Sequence, residues 1–328
     1  MLSEIKRLVK APLELFAGTI GWKRLQKKEN TLVILMYHRV LPEYDPRFDN
    51  EEPGMIVTPV TFEMHLGVLK STNAPVMTVE DWVSLPCHKR PKLAFALTFD
   101  DGWLDNYEYA FPLLKKFDFP ATLYCVTNFI GKPSPFWPNR LMRLLMSDTN
   151  FSDPQYKQLC ELLPAPLSNK LNKEQAATIV AYFKQYTDEQ IYSALAPIKD
   201  ERTQIEMMNV EQIIDSQNNY RIEIGSHTKN HFRLKGNLKK SELYEEIVAS
   251  KATLEGLVGK STDGFCFPNG DFCNEAMSLV EEHYKYSVTT SKGVNSSQDN
   301  NHSLYRIGIH EHVCDSEIKF KSRLTGWT

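Results

Sequence analysis

The stretch LAFALTFDDG, residues 93–102, joins an apolar run to two adjacent carboxylates and a glycine. The run of seven residues is short and bounded by polar positions, which predicts a buried strand. Asp100 and Asp101 follow directly, so we expect them at the carboxyl end of that strand, where α/β folds build their sites. Taken alone, Asp-Asp-Gly is equally typical of a simple turn.

Similar apolar runs recur on both sides of this stretch, and helical patterns separate them. Strands are predicted over residues 32–36, 121–126, 220–225, 264–267 and 286–289, and helices over 61–70, 105–116, 238–257 and 274–283. This alternation indicates βα units around an internal, mostly parallel sheet. Residues 133–208 interrupt it. Capping-box patterns at Asn172 and Thr187 predict a helical insertion there, to which the sequence assigns no chemistry of its own.

Composition limits the kind of protein and its partners. The 328 residues are 42% hydrophobic and 24% charged, with a net charge of -3, which excludes a disordered or collagen-like chain. The chain has no excess of basic residues, which a nucleic-acid-binding protein would be expected to carry. The six cysteines show no metal-binding or redox spacing, so we expect reduced thiols and a cytoplasmic protein.

A second polar cluster, SHTKNH at residues 226–231, follows another predicted strand. Two histidines four residues apart share one face of a helical turn and bind a single metal ion there, although a lone pair of this kind is more often a surface feature. Two imidazoles and one carboxylate leave coordination positions open for water and substrate. Together with Asp-Asp-Gly at a neighbouring strand end, His227 and His231 favour a hydrolytic metal site.

Two looser clusters lie nearer the C-terminus. In FCFPNGD, residues 265–271, the backbone around Phe267 and Asn269 is a candidate to stabilise an oxyanion. In RIGIH, residues 306–310, His310 is a candidate general acid for a leaving amine, or else an exposed histidine at a strand end.

These clusters together resemble the polysaccharide deacetylase family (NodB homology, carbohydrate esterase family 4). TFDDG at residues 98–102 is similar to the first family motif, HTKNH at 227–231 to the second, and MYHRV at 36–40 to the opening strand of exopolysaccharide members. The resemblance implies an irregular (β/α) barrel of the NodB type over residues 31–328, with 133–208 as a helical insertion. It also implies a divalent metal, most often Zn²⁺.

The resemblance assigns roles to particular residues. It implies that Asp100 is the general base, that Asp101, His227 and His231 bind the metal, and that His310 is the general acid. The third motif departs from the family pattern, because Cys266 and Asn269 stand where many members have arginine and tyrosine. We therefore expect Arg306 to replace the missing arginine beside Asp100. His38 is expected either to line the site or to pack in the core.

Aromatic residues supply candidates for stacking on sugar rings, namely Trp103, Tyr107, Phe136 and Trp137, with burial in the core as the alternative. The expected function is removal of N-acetyl groups from a polysaccharide or lipid-linked sugar during bacterial cell-envelope polysaccharide biosynthesis. The alternatives are a deformylase or amidase acting on a small or lipid-linked sugar, and a catalytically silent carbohydrate-binding homologue.

The first 30 residues form a basic segment with apolar positions at helical spacing. One interpretation is a helix packed on the domain; another is an amphipathic segment, residues 1–29, lying on an anionic membrane surface. Cleaved export is a third interpretation, weakened because Glu14 interrupts the apolar stretch. The expected location is the cytoplasm, either free or peripheral to the inner membrane.

Overall fold

The computed structural model describes residues 12–49, 51–133, 136–167, 169–199 and 204–326. Within these ranges the strands are β1 (Thr31–Tyr37), β2 (Arg39–Val40), β3 (Ile56–Val57), β4 (Leu93–Phe99), β5 (Ala121–Cys125), β6 (Ile222–Ser226), β7 (Gly264–Cys266), β8 (Tyr286–Lys292), β9 (Asn295–Ser296) and β10 (Leu304–Gly308).

The α-helices are α1 (Trp22–Leu25), α2 (Pro46–Asp49), α3 (Pro59–Ser71), α4 (Val79–Ser84), α5 (Phe111–Phe117), α6 (Trp137–Met146), α7 (Lys157–Leu162), α8 (Lys173–Phe183), α9 (Asp188–Leu195), α10 (Val210–Asn219), α11 (Lys240–Tyr244), α12 (Ser250–Val258), α13 (Asn274–His283), α14 (Glu311–Cys314) and α15 (Glu317–Leu324). Single π-helical turns precede α1, α5 and α12, at Ala17–Gly21, Asn106–Ala110 and Glu245–Ala249.

Seven parallel strands close into a barrel. Their order is β10-β8-β7-β6-β5-β4-β1, and β10 pairs in parallel with β1 to complete the circle. The β1–β4 ladder is long, with seven residue pairs, whereas the closing β1–β10 contact has only two, Leu35 with Ile307 and Met36 with Gly308. This confirms the irregular (β/α) barrel predicted from the sequence.

Alternation along the strands decides which side chains fill the barrel. On β4, Ala94 and Ala96 face the interior, whereas Phe95 and Leu97 face the surrounding helices. The same alternation continues to the strand end, so Asp100 belongs to the interior set. The alternation that packs the alanines of β4 inside the barrel therefore also directs the side chain of Asp100 into the interior.

Two glycines make room for large rings inside the barrel. A Cβ added at Gly225 would overlap the Tyr124 ring, and one added at Gly264 would overlap Tyr286. Both tyrosines are fully buried. The phenol of Tyr286 donates to Glu223 at 2.5 Å. Glycine is thus required at these points for packing rather than for turning the chain.

The helices within residues 137–198 pack around an apolar cluster of their own. This cluster includes Trp137, Leu141, Phe183 and Ile191, and it is separate from the barrel core. Asn172 and Thr187 cap α8 and α9 with reciprocal hydrogen bonds, as their sequence patterns predict.

The described part of the N-terminal segment packs on the barrel. Trp22 and Leu25 belong to its main core, and Trp22 stacks on Phe95 with ring centroids 6.2 Å apart. The predicted apolar positions before residue 12 lie outside the described residues. None of the described helices combines the length and apolar character needed to cross a membrane.

The glycine requirement leads to a stability prediction. Gly225→Ala is expected to lower the free energy of unfolding by about 1–3 kcal/mol, because the added methyl overpacks against Tyr124. Gly256→Ala is the matched control, since nothing lies within 4 Å of the position and alanine favours a helix. Urea unfolding followed by circular dichroism measures both. Equal destabilisation by the two changes would contradict the packing argument.

Candidate active site

A cavity of about 380 Å³ opens at the carboxyl ends of the barrel strands. The barrel contributes its inner wall, and the loop between β2 and β3 together with the helical insertion contributes the outer wall. The lining residues are Met36, His38, Glu52, Pro53, Gly54, Met55, Asp100, Asp101, Trp103, Phe136, Trp137, Pro138, Asn139, Lys184, Asp188, His227, His231, Asn269 and Thr290.

Asp100 is held by a buried arginine. Both guanidinium nitrogens of Arg306 donate to the two carboxylate oxygens at 2.7 Å, and both side chains are at most 2% exposed. Burial opposes the charge on Asp100, but the positive charge and hydrogen bonds of Arg306 hold the pKa of Asp100 well below its ordinary value. The structure therefore places Arg306 where the sequence predicts a replacement for the third-motif arginine.

Asp101 points to the opposite side of the strand end and faces two imidazoles. Its Oδ1 lies 3.5 Å from Nε2 of His227 and 3.4 Å from Nε2 of His231. A left-handed backbone at Asp101, with φ of 79°, turns the carboxylate towards them. The three predicted ligands therefore converge on one point.

The two histidines are not on a helical turn, contrary to the sequence-based expectation. His227 directly follows β6, and His231 lies in an irregular loop in which Thr228 and His231 both have positive φ. Buried Glu246 stabilises this loop by accepting hydrogen bonds from the backbone amides of Lys229 and Asn230. A strained loop, rather than helical periodicity, brings the rings to 4.8 Å between centroids.

The surroundings of these ligands favour neutral imidazoles, which is the form that binds a metal, but disfavour the ionised carboxylate of Asp101 unless a cation is near. Burial, reinforced by the charge of Asp100, raises the pKa of Asp101 to about 8. Burial lowers the pKa of His227 to about 4 and also holds the pKa of His231 well below its ordinary value. The Nδ1–H of His227 can donate to the carbonyl of Cys266 at 2.8 Å, which leaves Nε2 free to face Asp101.

Trp103 is not placed to stack on a sugar, because it is 1% exposed. Its Nε1–H donates to Oδ2 of Asp101 at 2.9 Å, and the guanidinium of Arg39 lies 4.0 Å from the indole centroid. Arg39 is itself buried and paired with Glu51 and Asp105. The indole thus fixes the orientation of the carboxylate that faces the histidines.

His38 lines the cavity, as one of its two sequence-based interpretations expects, with its Nε2 3.9 Å from Oδ2 of Asp100. His310, the general acid that the family resemblance implies, is not among the described residues that line the cavity. Its ring lies 4.0 Å from the position that a Cβ of Gly54 would take, and Gly54 does line the cavity. Alternation explains His38, since Met36 and His38 both follow the inward-facing positions of β1.

The loop after β7 is only partly at the site. Asn269 is exposed on the cavity wall in a left-handed conformation with φ of 55°. Phe267 is fully buried between Phe265 and Phe272, so its side chain belongs to the core and not to the substrate site. Cys266 faces inward, where its Sγ accepts from Arg306 at 3.1 Å.

The insertion forms much of the outer wall, which the sequence did not predict. Phe136 meets the His231 ring edge-on at 5.0 Å, and the Trp137 Nε1–H donates to Asp188 at 3.2 Å. Both aromatic residues are at most 4% exposed, so only an edge of each ring is available to a substrate. The remaining stacking candidate, Tyr107, bonds to Asp215 away from the cavity.

Comparison with known proteins agrees with this architecture. A family model described as polysaccharide deacetylase matches residues 88–158 and 165–288, which is more than half of the chain. The structure resembles that of a Streptococcus pyogenes deacetylase, PplD, solved in complex with acetate, with a TM-score of 0.59. The two are 20% identical, and the match covers 89% of this chain and 97% of that one.

Two curated relatives extend the comparison. YxkH of Bacillus subtilis, which carries the same family name, is 22% identical over 294 residues, or 89% of this chain and 75% of YxkH. The poly-beta-1,6-N-acetyl-D-glucosamine N-deacetylase of Staphylococcus epidermidis is 33% identical over 118 residues. That match spans 33% of this chain and only 40% of the staphylococcal protein. By its family match, its barrel and its strand-end motifs, the chain belongs to the polysaccharide deacetylase family.

Proposed function

We propose that this protein is a divalent-metal-dependent hydrolase that removes N-acetyl groups from a carbohydrate used in cell-envelope polysaccharide biosynthesis. The observation that carries the proposal is the convergence of Asp101, His227 and His231 beside an ionised Asp100 at the wall of the cavity. The staphylococcal relative, named for deacetylation of a poly-N-acetylglucosamine, supports a sugar polymer or its precursor as the substrate.

The residues present fit a metal ion. Ligands that sit about 2.0–2.2 Å from zinc in a tetrahedron lie roughly 3.3–3.6 Å from each other. The separations of 3.4 and 3.5 Å between Asp101 and the two histidines fall in this range. A cation here also favours the ionised carboxylate and the neutral imidazoles, which are the ligand forms. Two nitrogens and one oxygen are usual zinc ligands, so Zn²⁺ is our first choice.

A bound divalent cation supplies Lewis-acid polarisation of the acetamide carbonyl and makes water easier to deprotonate. Asp100 is placed to take the proton of the attacking water, because Arg306 keeps it ionised and fixes its plane. His38, next to Asp100, is placed to carry a proton to the departing amine. This assigns to His38 the acid role that the sequence assigned to His310.

Other wall residues are placed to hold the sugar. Asn269 offers an exposed amide beside the histidines, and Glu52 offers a carboxyl on the facing wall, where burial raises its pKa to about 7. Lys184 and Asp188 come from the insertion. A few convergent polar groups in a small, partly aromatic cavity are typical of an orienting ligand site.

The orientation of Asp101 yields a prediction on metal binding. Trp103→Phe is expected to weaken Zn²⁺ affinity by about 10–100-fold, because the aromatic packing stays but the hydrogen bond to the carboxylate is lost. Competition with a chromophoric chelator measures this affinity. Tyr107→Phe is the control, since it removes a hydrogen bond to Asp215 away from the cavity. Unchanged affinity in Trp103→Phe would exclude an orienting role for the indole.

The base assignment is tested by Asp100→Asn. Acetate release from N-acetylglucosamine oligomers is expected to fall by about 10²–10⁴-fold, because the amide cannot take the proton of water. Bound metal is expected to stay near one ion per chain in both proteins.

Parallel measurement of formate separates the alternatives. Release of formate from N-formylated sugars, without acetate, would replace the deacetylase proposal with a deformylase. Sugar binding with neither product would identify a silent homologue.

The two alternatives for the general acid, His38 and His310, give a paired prediction. His38→Gln is expected to lower kcat by about 10²-fold or more, because the proton donor beside Asp100 is lost. His310→Gln is expected to leave kcat near the wild-type value, since His310 is not among the described residues that line the cavity. Steady-state acetate release compares the two. The reverse order of effects would restore the sequence-based assignment of His310.

A further inference from the structure

The helical segment that precedes the barrel has a buried side and an exposed side. Residues 12–16 are helical and continue through the π-turn Ala17–Gly21 into α1. Ala17, Gly18 and Trp22 are buried, and a Cβ added at Gly18 would overlap Ile318 of α15. This contact fixes the segment on the barrel, so its outer side is held in a defined orientation.

The outer side carries large apolar residues. Leu13 is 45% exposed, Leu15 58%, Phe16 45% and Ile20 43%. These four residues lie within eight positions of one helical segment, and we call them the apolar patch; no other two exposed large hydrophobic residues in the described part of the chain are so close in sequence. Contiguous exposed apolar surface rimmed by polar residues marks a site of interaction.

Cations adjoin this patch along the chain. Lys23, Lys27 and Lys28 are exposed, and no described carboxylate forms an ion pair with any of them. Glu29, the nearest carboxylate after them, pairs with Lys92 instead. We call the four apolar residues and these three lysines the N-terminal face. Apolar side chains beside unpaired lysines match the chemistry of an anionic lipid surface.

A second copy of the chain fits this face less well. A symmetric dimer through this face would gather the three lysines of both copies at one interface, where no described carboxylate pairs with them. Such like-charge contacts disfavour an interface. The positive charge that opposes self-association favours anionic lipid headgroups.

The position of the patch relates it to the active site. Gly18 lies against Ile318, and Gly21 lies against Thr325, so the segment runs in the same direction as α15. Helix α15 leads away from the carboxyl end of β10. Leu13 is five residues, or about 7 Å of helix, before Gly18, which places it towards the start of α15, the end of that helix nearer to β10 in the chain. The apolar part of the face is thus nearest the end of the barrel where the cavity opens.

We propose that the N-terminal face docks this protein on an anionic lipid bilayer, with the helical segment lying along the surface and its Leu13 end nearest the cavity. Resting on the proposed function, this makes the substrate a saccharide presented at the membrane, such as a lipid-linked glycan or a chain emerging from it. Docking itself is independent of hydrolysis, so the two can be tested separately.

Vesicle flotation with the full chain tests the docking. Wild-type protein is expected to float with vesicles of phosphatidylglycerol and phosphatidylcholine and to remain in solution with phosphatidylcholine alone. A triple variant that combines Lys23→Gln, Lys27→Gln and Lys28→Gln is expected to bind these vesicles on the order of 100-fold more weakly, because each lysine contributes about fivefold to the affinity. Binding is expected to fall as salt concentration rises.

The apolar part is tested by Leu13→Glu combined with Ile20→Glu, which is expected to abolish flotation. Tyr244→Glu is the matched control, because Tyr244 is 51% exposed on α11 and outside the face. Thermal unfolding confirms that each variant folds, and acetate release from a soluble oligomer is expected to be unchanged in all of them.

Failure of the wild type to float, or undiminished flotation of the Leu13 and Ile20 variant, would overturn the proposal. So would a wild-type dimer that this variant converts to a monomer without any lipid binding. If the wild-type protein floats with the vesicles but releases no acetate, the proposed function is overturned and the docking proposal stands.

Discussion

The buried ion pair between Asp100 and Arg306 is the interaction on which the site depends. Two adjacent carboxylates at a strand end repel each other, and both are nearly fully buried here. Because successive side chains of a strand point in opposite directions, Asp100 and Asp101 face different groups. Asp100 turns into the barrel and is neutralised by Arg306, whereas Asp101 turns towards His227 and His231. Arg306 therefore compensates the charge of Asp100, whereas Asp101 faces two neutral imidazoles, and each carboxylate has its own role.

Local periodicity predicted the strands and a mostly parallel sheet, and short motifs predicted a metal site at the strand ends. The family resemblance implied the closed barrel and the ligand set of Asp101, His227 and His231. It also placed Arg306 at Asp100, and alternation explains why: Leu304 and Arg306 share the inward side of β10. The same rule turns the Phe267 side chain outward, since Cys266 faces inward. The Phe267 amide donates to the carbonyl of Val288 at 3.2 Å, a contact between strands that the turn residues of this loop do not predict.

Other features depend on contacts between residues far apart in the chain. His310 packs near the loop that carries Gly54, 256 positions earlier in the sequence, and is not among the described residues that line the cavity. The face that the insertion turns towards the cavity is likewise set by packing: Asn139 bonds to Glu51, and Asp188 bonds to Arg233. Helical periodicity predicts that these helices exist, but not which of their polar residues meet the barrel. Metal-ligand spacing was similarly insufficient to show that a strained loop, not a helix, carries the histidines.

The closing contact between β10 and β1 also determines at what stage of synthesis and folding the active site is completed. Arg306 lies 206 residues after Asp100, and the strand that bears it is the last of the barrel. A chain emerging from the ribosome holds Asp100, Asp101 and both histidines long before it holds the arginine. Until then Asp100 lacks its compensating positive charge, and forming this ion pair incurs the loop-closure entropy of most of the polypeptide. Catalytic competence is therefore a late event of biosynthesis, reached only when nearly the whole chain is available to fold.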